Sequence, residues 1–171
     1  MSVKIIVDST TDLLPSIREQ VTVVPLTVCF GQEEFTDGVT ITHEQFYEKL
    51  VECDVLPTTS QASPAAFIRV LSETLAPGDS ALILTLSSEL SGTYQSAVIA
   101  AGEFEEVFVV DSSSVAIGTG ILTEYALECV KKGMSAKETA EEIERKKKDV
   151  CVIAMLDTLE YLKKGGRISS T

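Results

Sequence analysis

The chain has 171 residues, 44% of them hydrophobic and 23% charged, which is enough apolar material for a buried core and too much for a disordered chain. Fourteen basic against 26 acidic residues leave a formal charge of −12, so the surface repels nucleic acid and anionic lipid headgroups, and neither is expected as a partner. No apolar run is long enough to span a bilayer and "MSVKIIVDSTTD" is too short in apolar residues for a signal peptide, which predicts a cytoplasmic protein with no integral membrane association.

In chain order, Val3–Val7 (VKIIV) opens as a short strand apolar on both faces. Residues 21–41 (VTVVPLTVCFGQEEFTDGVTI) alternate, contain Pro25 and turn at Gly31 and Asp37-Gly38, which predicts an edge strand and hairpin appended to the main sheet. Thr42 and Gln45 have the spacing of a capping box, in which a side chain at each end satisfies the other residue's free backbone N–H. Ser63-Pro64 places a cap before a proline that starts the next helix. Ala81–Leu86 and Val107–Val110 read as further buried strands, and the helix after them closes at Gly133. Ser135 and Glu138 form a second capping box, on a helix whose Glu141, Glu142 and Glu144 neighbour Arg145–Lys148; this predicts a solvated face laced with i,i+4 pairs. Val150–Leu156 reads as a fourth buried strand, followed by a helix through "LEYLKK" that Gly165 closes. The order predicts an α/β fold, a layered α/β/α domain with a mostly parallel sheet plus the edge hairpin. Cys29, Cys53, Cys129 and Cys151 share no C-x-x-C spacing, and their apolar contexts predict reduced, buried thiols and no metal site.

Ser and Thr gather in four places: "VDSTTD" (7–12), "TTSQAS" (58–63), "LSSELSGT" (86–93) and "VDSSSVAIGTG" (110–120). Three follow predicted strands and the fourth leads into a helix. In open α/β sheets the carboxyl ends of strands are where ligands bind. A helix N-terminus with added hydroxyls offers hydrogen bonds and partial positive charge to a carboxylate or phosphate. Capping is the ordinary use of each such residue, and Ser63 and Ser135 are assigned to it. The surplus of hydroxyls, with Gly92 letting a ligand approach the backbone, makes Ser91, Gly92 and Thr93 a candidate anion cradle; a plain helix start is the alternative.

"KIIVDSTTDL", "PTTSQASPAAF", "LSSELSGTYQSA", "VVDSSSVAIGTG" and "LEYLKKGGRISS", in this order, resemble the DegV family of bacterial fatty-acid-binding proteins. The resemblance implies a two-domain α/β protein that holds one long-chain fatty acid in an apolar tunnel and presents it to a fatty acid kinase subunit. That partner uses ATP to make the acyl phosphate, so the chain itself is expected to have no catalytic residue and no cofactor. By motif, Thr59 and Ser91 correspond to the hydroxyls on the carboxylate, with Ser60, Gly92 and Thr93 as neighbours. The resemblance also implies a second domain that adds a histidine to that site, and this domain is expected to be largely missing from a chain that stops at Thr171. Residues 1–162 are expected to form the first domain, and 163–171 to be a linker or the start of the truncated second. His43 lies inside a capping box and is not taken as the missing histidine. Arg167, beyond the last helix, is expected to help dock the kinase. Two alternatives remain at this point: a binding protein for a small polar anion, and a serine hydrolase, against which stands the lack of G-x-S-x-G. No G-x-x-x-x-G-K-[ST] supports nucleotide binding.

Overall fold

The β-branched run at the start of the chain forms β1 (Val3–Asp8), the centre of the main sheet in the computed structural model, which describes residues 2–168. The short α1 (Pro15–Arg18) leads to β2 (Thr22–Val24) on one side of β1. On its other side lies β6 (Ser80–Thr85), followed by β7 (Val107–Asp111), and every pairing in the order β2-β1-β6-β7 is parallel. Alternate residues of these strands feed two cores. Ile6, Ala81 and Ile83 pack with Phe67, Val70 and Leu71 of α3 (Pro64–Thr74) and Ala97 and Ala100 of α4 (Thr93–Ala101). Ile5, Val7, Leu82 and Leu84 pack with Leu122 and Ala126 of α5 (Ile117–Lys131) and Ala140 and Ile143 of α6 (Ala136–Lys146). Burial of both sheet faces is why the strands are apolar throughout rather than alternating.

The predicted layered fold is observed, with a difference in where its hairpin sits. Pro25, lacking an N–H, divides the segment: β2 joins the parallel sheet, whereas β3 (Thr27–Phe30) and β4 (Glu33–Thr36) form a hairpin in a separate antiparallel sheet of order β4-β3-β5. Its third strand is β5 (Thr58–Ser60). Under this sheet, α2 (His43–Glu52) closes a small core of Val28, Phe30, Ile41, Phe35 and Phe46.

Both capping boxes are present. Gln45 N–H donates to Thr42 Oγ1 at 3.2 Å and Thr42 N–H to Gln45 Oε1 at 2.9 Å, while Glu138 N–H donates to Ser135 Oγ and Ser135 N–H to Glu138 Oε2. Ser63 Oγ accepts from Ala66 N–H. The basic cluster is paired as expected in kind but at i,i+3: Arg145 with Glu142, Lys146 with Asp149, and Lys147 with Glu144.

Two expectations are corrected. Val150–Leu156 forms no strand: after a 3-10 turn at Lys147–Asp149 it pairs with nothing among the described residues, and residues 151–156 are exposed, Ile153 and Met155 at 90% and 98%. Of the four free cysteines only Cys129 is buried, Cys29 and Cys53 being half-buried and Cys151 exposed at the start of that segment. As expected, Gly165 closes α7 (Glu160–Lys164) as its C-cap, and the chain turns left-handed at the next residue, Gly166 (φ 73°). Among the described residues no helix is long and apolar enough to cross a membrane.

Candidate functional site

The chain leaves β1 toward β2 while β6 lies on the other side, the arrangement in which open α/β sheets place ligands at the carboxyl ends of the strands. Asp8, the last residue of β1, is wholly buried at this end of the sheet. Its Oδ2 accepts from Leu86 N–H at 2.7 Å, and Oδ1 accepts from Thr10 N–H at 3.0 Å and the Thr10 hydroxyl at 2.6 Å. Burial pushes this carboxyl above the ordinary carboxylate range, opposed by those donors.

The loops at this end are braced by main-chain bonds. Ser87 N–H donates to Ser114 O at 2.7 Å, Asp12 N–H to Ala116 O at 3.3 Å, and Ser9 N–H to Val24 O at 3.1 Å. Ser9 Oγ accepts from Leu26 N–H, tying the rim to the entry of the second sheet. The loop after β7 carries two non-glycine residues at φ 53°, Ser113 and Ala116, an uncommon conformation for a residue with a Cβ. Gly120 on α5 lets Asp12 approach, since a Cβ there would collide with the Asp12 carbonyl oxygen.

At the start of α4, Leu90 and Ser91 N–H groups both bond to Ser87 O. Ser91 Oγ accepts from Thr93 N–H at 3.3 Å and shares a 3.0 Å hydrogen bond with Thr93 Oγ1. Thr93 is fully buried, Ser91 half-buried and Gly92 exposed. Gly92 occupies the N-cap position and brings no side chain, so the N-terminal donors of this helix have no cap of the usual kind from that position.

Thr59 and Ser60 lie exposed on β5, opposite Val28 and Thr27. The next residue, Gln61, donates from Nε2 to Ser96 Oγ at 2.9 Å, one turn into α4. A Cβ on Gly92 would strike Gln61 Oε1 and come within 2.8 Å of its Cδ. Gln61, next to the β5 hydroxyls, thus links the end of β5 to the start of α4. No local sequence pattern marks Gln61 or Asp8, whose partners lie 35 and 78 residues away. Arg167 is elsewhere, on the exposed C-terminal segment, its Nη1 donating to Gly165 O.

A hollow of about 410 Å³ beside the β1 rim is lined by Ser9, Thr11, Asp12, Arg18, Asp37 and His43, so His43 faces this end of the sheet. Thr11 Oγ1 and Thr85 Oγ1 are buried without a hydrogen-bond partner among the described residues. A larger groove of about 910 Å³ lies at the opposite end of the strands, by Ser2, Ser80 and Val107. Among the described residues no three metal-ligating side chains converge.

A profile of a family described as "Uncharacterised protein, DegV family" matches residues 2–171. A DegV domain-containing protein of Deinococcus radiodurans is 38% identical over 98% of this chain and 61% of its own length. The chain thus spans less than two thirds of such relatives. A solved DegV family protein from Thermus thermophilus, described by its fatty acid binding, is 38% identical with a TM-score of 0.84, over 97% of this chain and 60% of that one. DegV of Bacillus subtilis, described as a fatty acid binding protein, superimposes with a TM-score of 0.85 at 29% identity, over 97% of this chain and 61% of that one.

Proposed function

The chain belongs to the DegV family, and from that premise we propose that it binds a long-chain fatty acid by its carboxylate and presents it to an ATP-dependent fatty acid kinase. The observation that carries the proposal is the rim itself: hydroxyl-bearing loops braced to one another around an α4 N-terminus whose N-cap residue has no side chain. Neutral O–H and N–H donors hold an anion there, with Thr59 and Ser91 assigned to the carboxylate and Ser60, Gly92 and Thr93 beside them.

The division of labour follows from magnitudes. A dozen buried methylenes at about 0.8 kcal/mol each contribute on the order of 10 kcal/mol of transfer free energy. Each hydrogen bond to the carboxylate is worth about 1.5–3 kcal/mol, and desolvating the anion offsets much of that. The tail therefore supplies affinity while the hydroxyls fix the head group's register. Leu84–Ala97 contains no Lys or Arg, so the carboxylate is held without an ion pair and stays nucleophilic toward an incoming phosphoryl group. Bond chemistry belongs to the kinase, which fits a cytoplasmic site of action. Arg167 is proposed to contribute to its docking, and the second unit beginning near residue 163 to complete the tunnel.

Denaturing mass spectrometry of the purified full-length gene product tests this reading. A co-purified long-chain acid supports it. Recovery of only phosphate or a short carboxylate transfers the same cradle to a small polar anion and removes the lipid. For the kinase step, unchanged acyl-phosphate formation after Arg167→Ala removes that residue from the interface.

A further inference from the structure

Gln61 is exposed as a residue, yet its amide is committed. Nε2 donates to the hydroxyl of Ser96, which is itself only 1% exposed, and the amide oxygen occupies the place a side chain at Gly92 would take. Ser96 sits in the first turn and a half of α4, and Gln61 directly follows the β5 hydroxyls Thr59 and Ser60. The neighbouring Ala62 is buried in the core between the sheet and α3, so the backbone that carries Gln61 is fixed.

Resting on the fatty-acid reading, we propose that Gln61 is the positioning residue of the carboxylate site, latching β5 across Gly92 onto α4 and so setting the separation of the Thr59 and Ser91 hydroxyls. Gly92 serves the latch by having no side chain. Its backbone (φ −74°, ψ 4°) is open to any L-residue, so its need for glycine comes from this contact and not from conformation. Loss of the amide leaves a buried hydroxyl short of a donor and frees the β5 edge, which disorders the donor set before the ligand arrives.

The test uses the full-length gene product with oleate as the probe, in Gln61→Ala, Gly92→Ala, the double variant and Gln61→Glu. Each single alanine variant is expected to weaken oleate binding about tenfold and to speed amide exchange at the start of α4 by a similar factor. The double variant is expected to be no weaker than either single one, since both remove one contact. Gln61→Glu is expected to bind near wild type when the new carboxyl is neutral and progressively worse as pH rises through its titration, because a carboxylate then faces the ligand's own. A purely structural glutamine would not give that pH profile.

Unchanged oleate affinity in Gln61→Ala, additive losses in the double variant, or a flat pH profile in Gln61→Glu each overturn the positioning role. Failure of the unaltered protein to bind oleate, with the exchange effects present, instead refutes the fatty-acid reading and leaves the latch standing as a feature of the fold.

Discussion

Gly120→Ala pits two effects of opposite sign against each other at one position. In the interior of α5, replacing glycine by alanine favours the helix by about 0.8–1.0 kcal/mol. Against this, the added methyl meets the Asp12 carbonyl, whose oxygen it would overlap and whose carbon would lie at 3.3 Å. That obstacle is backbone, held by the 3.3 Å bond from Asp12 N–H to Ala116 O, and it cannot rotate aside as a side-chain tip would. Overpacking of this kind costs about 1–3 kcal/mol, and losing the hydrogen bond adds about 0.5–1.5 kcal/mol. The net expectation is destabilisation by about 2 kcal/mol, or a fall in Tm of about 4–8 °C for a chain of this size. Urea unfolding followed by circular dichroism, with thermal melts in parallel, measures both. A variant as stable as wild type, or more so, would show that the loop after β1 yields freely and that helix propensity decides the outcome.

Phe67→Ala, at a side chain with no exposed surface in the core beneath α3, is expected to cost about 3–5 kcal/mol by urea denaturation, and a loss under 1 kcal/mol would contradict that packing. Asp8→Asn probes the buried carboxyl. Because burial raises the folded-state pKa, the native chain retains a proton that the unfolded chain has released, and the Asp8 contribution to stability declines as pH rises from the usual carboxylate range through the raised value. The stability difference between wild type and variant should therefore favour wild type most at the acid end, and a pH-independent difference would refute the assignment. Titration with a chromogenic disulfide reagent should modify Cys151 first and Cys129 only on unfolding; early loss of the Cys129 thiol would contradict its burial.

Strands buried on both faces were legible because a β-branched run leaves few other options, as at Val3–Asp8 and Ser80–Thr85. Val150–Leu156 has the same composition and no strand, since a strand is a relation between two segments and composition describes only one. Thr58–Ser60 escaped notice for the converse reason: three exposed polar residues carry no alternation, and their pairing with β3 is what makes them a strand. Capping boxes, whose parts lie three residues apart, were read without error at Thr42 and Ser135. The hydroxyl clusters were legible one by one. Asp8 and Gln61, which join them, act on partners 78 and 35 residues away, beyond any local pattern.

The braces from Ser87 to Ser114, from Asp12 to Ala116 and from Ser9 to Val24 are all peptide-to-peptide. Every amino acid but proline supplies the same N–H and C=O, so the framework is indifferent to most substitutions at those positions. Hydroxyls that brace no backbone group, unlike that of Ser9 on Leu26 N–H, can accordingly be exchanged, added or lost through mutation while the scaffold keeps its outline. A lineage built on this architecture can thus vary the donors along this rim without passing through an unfolded ancestor.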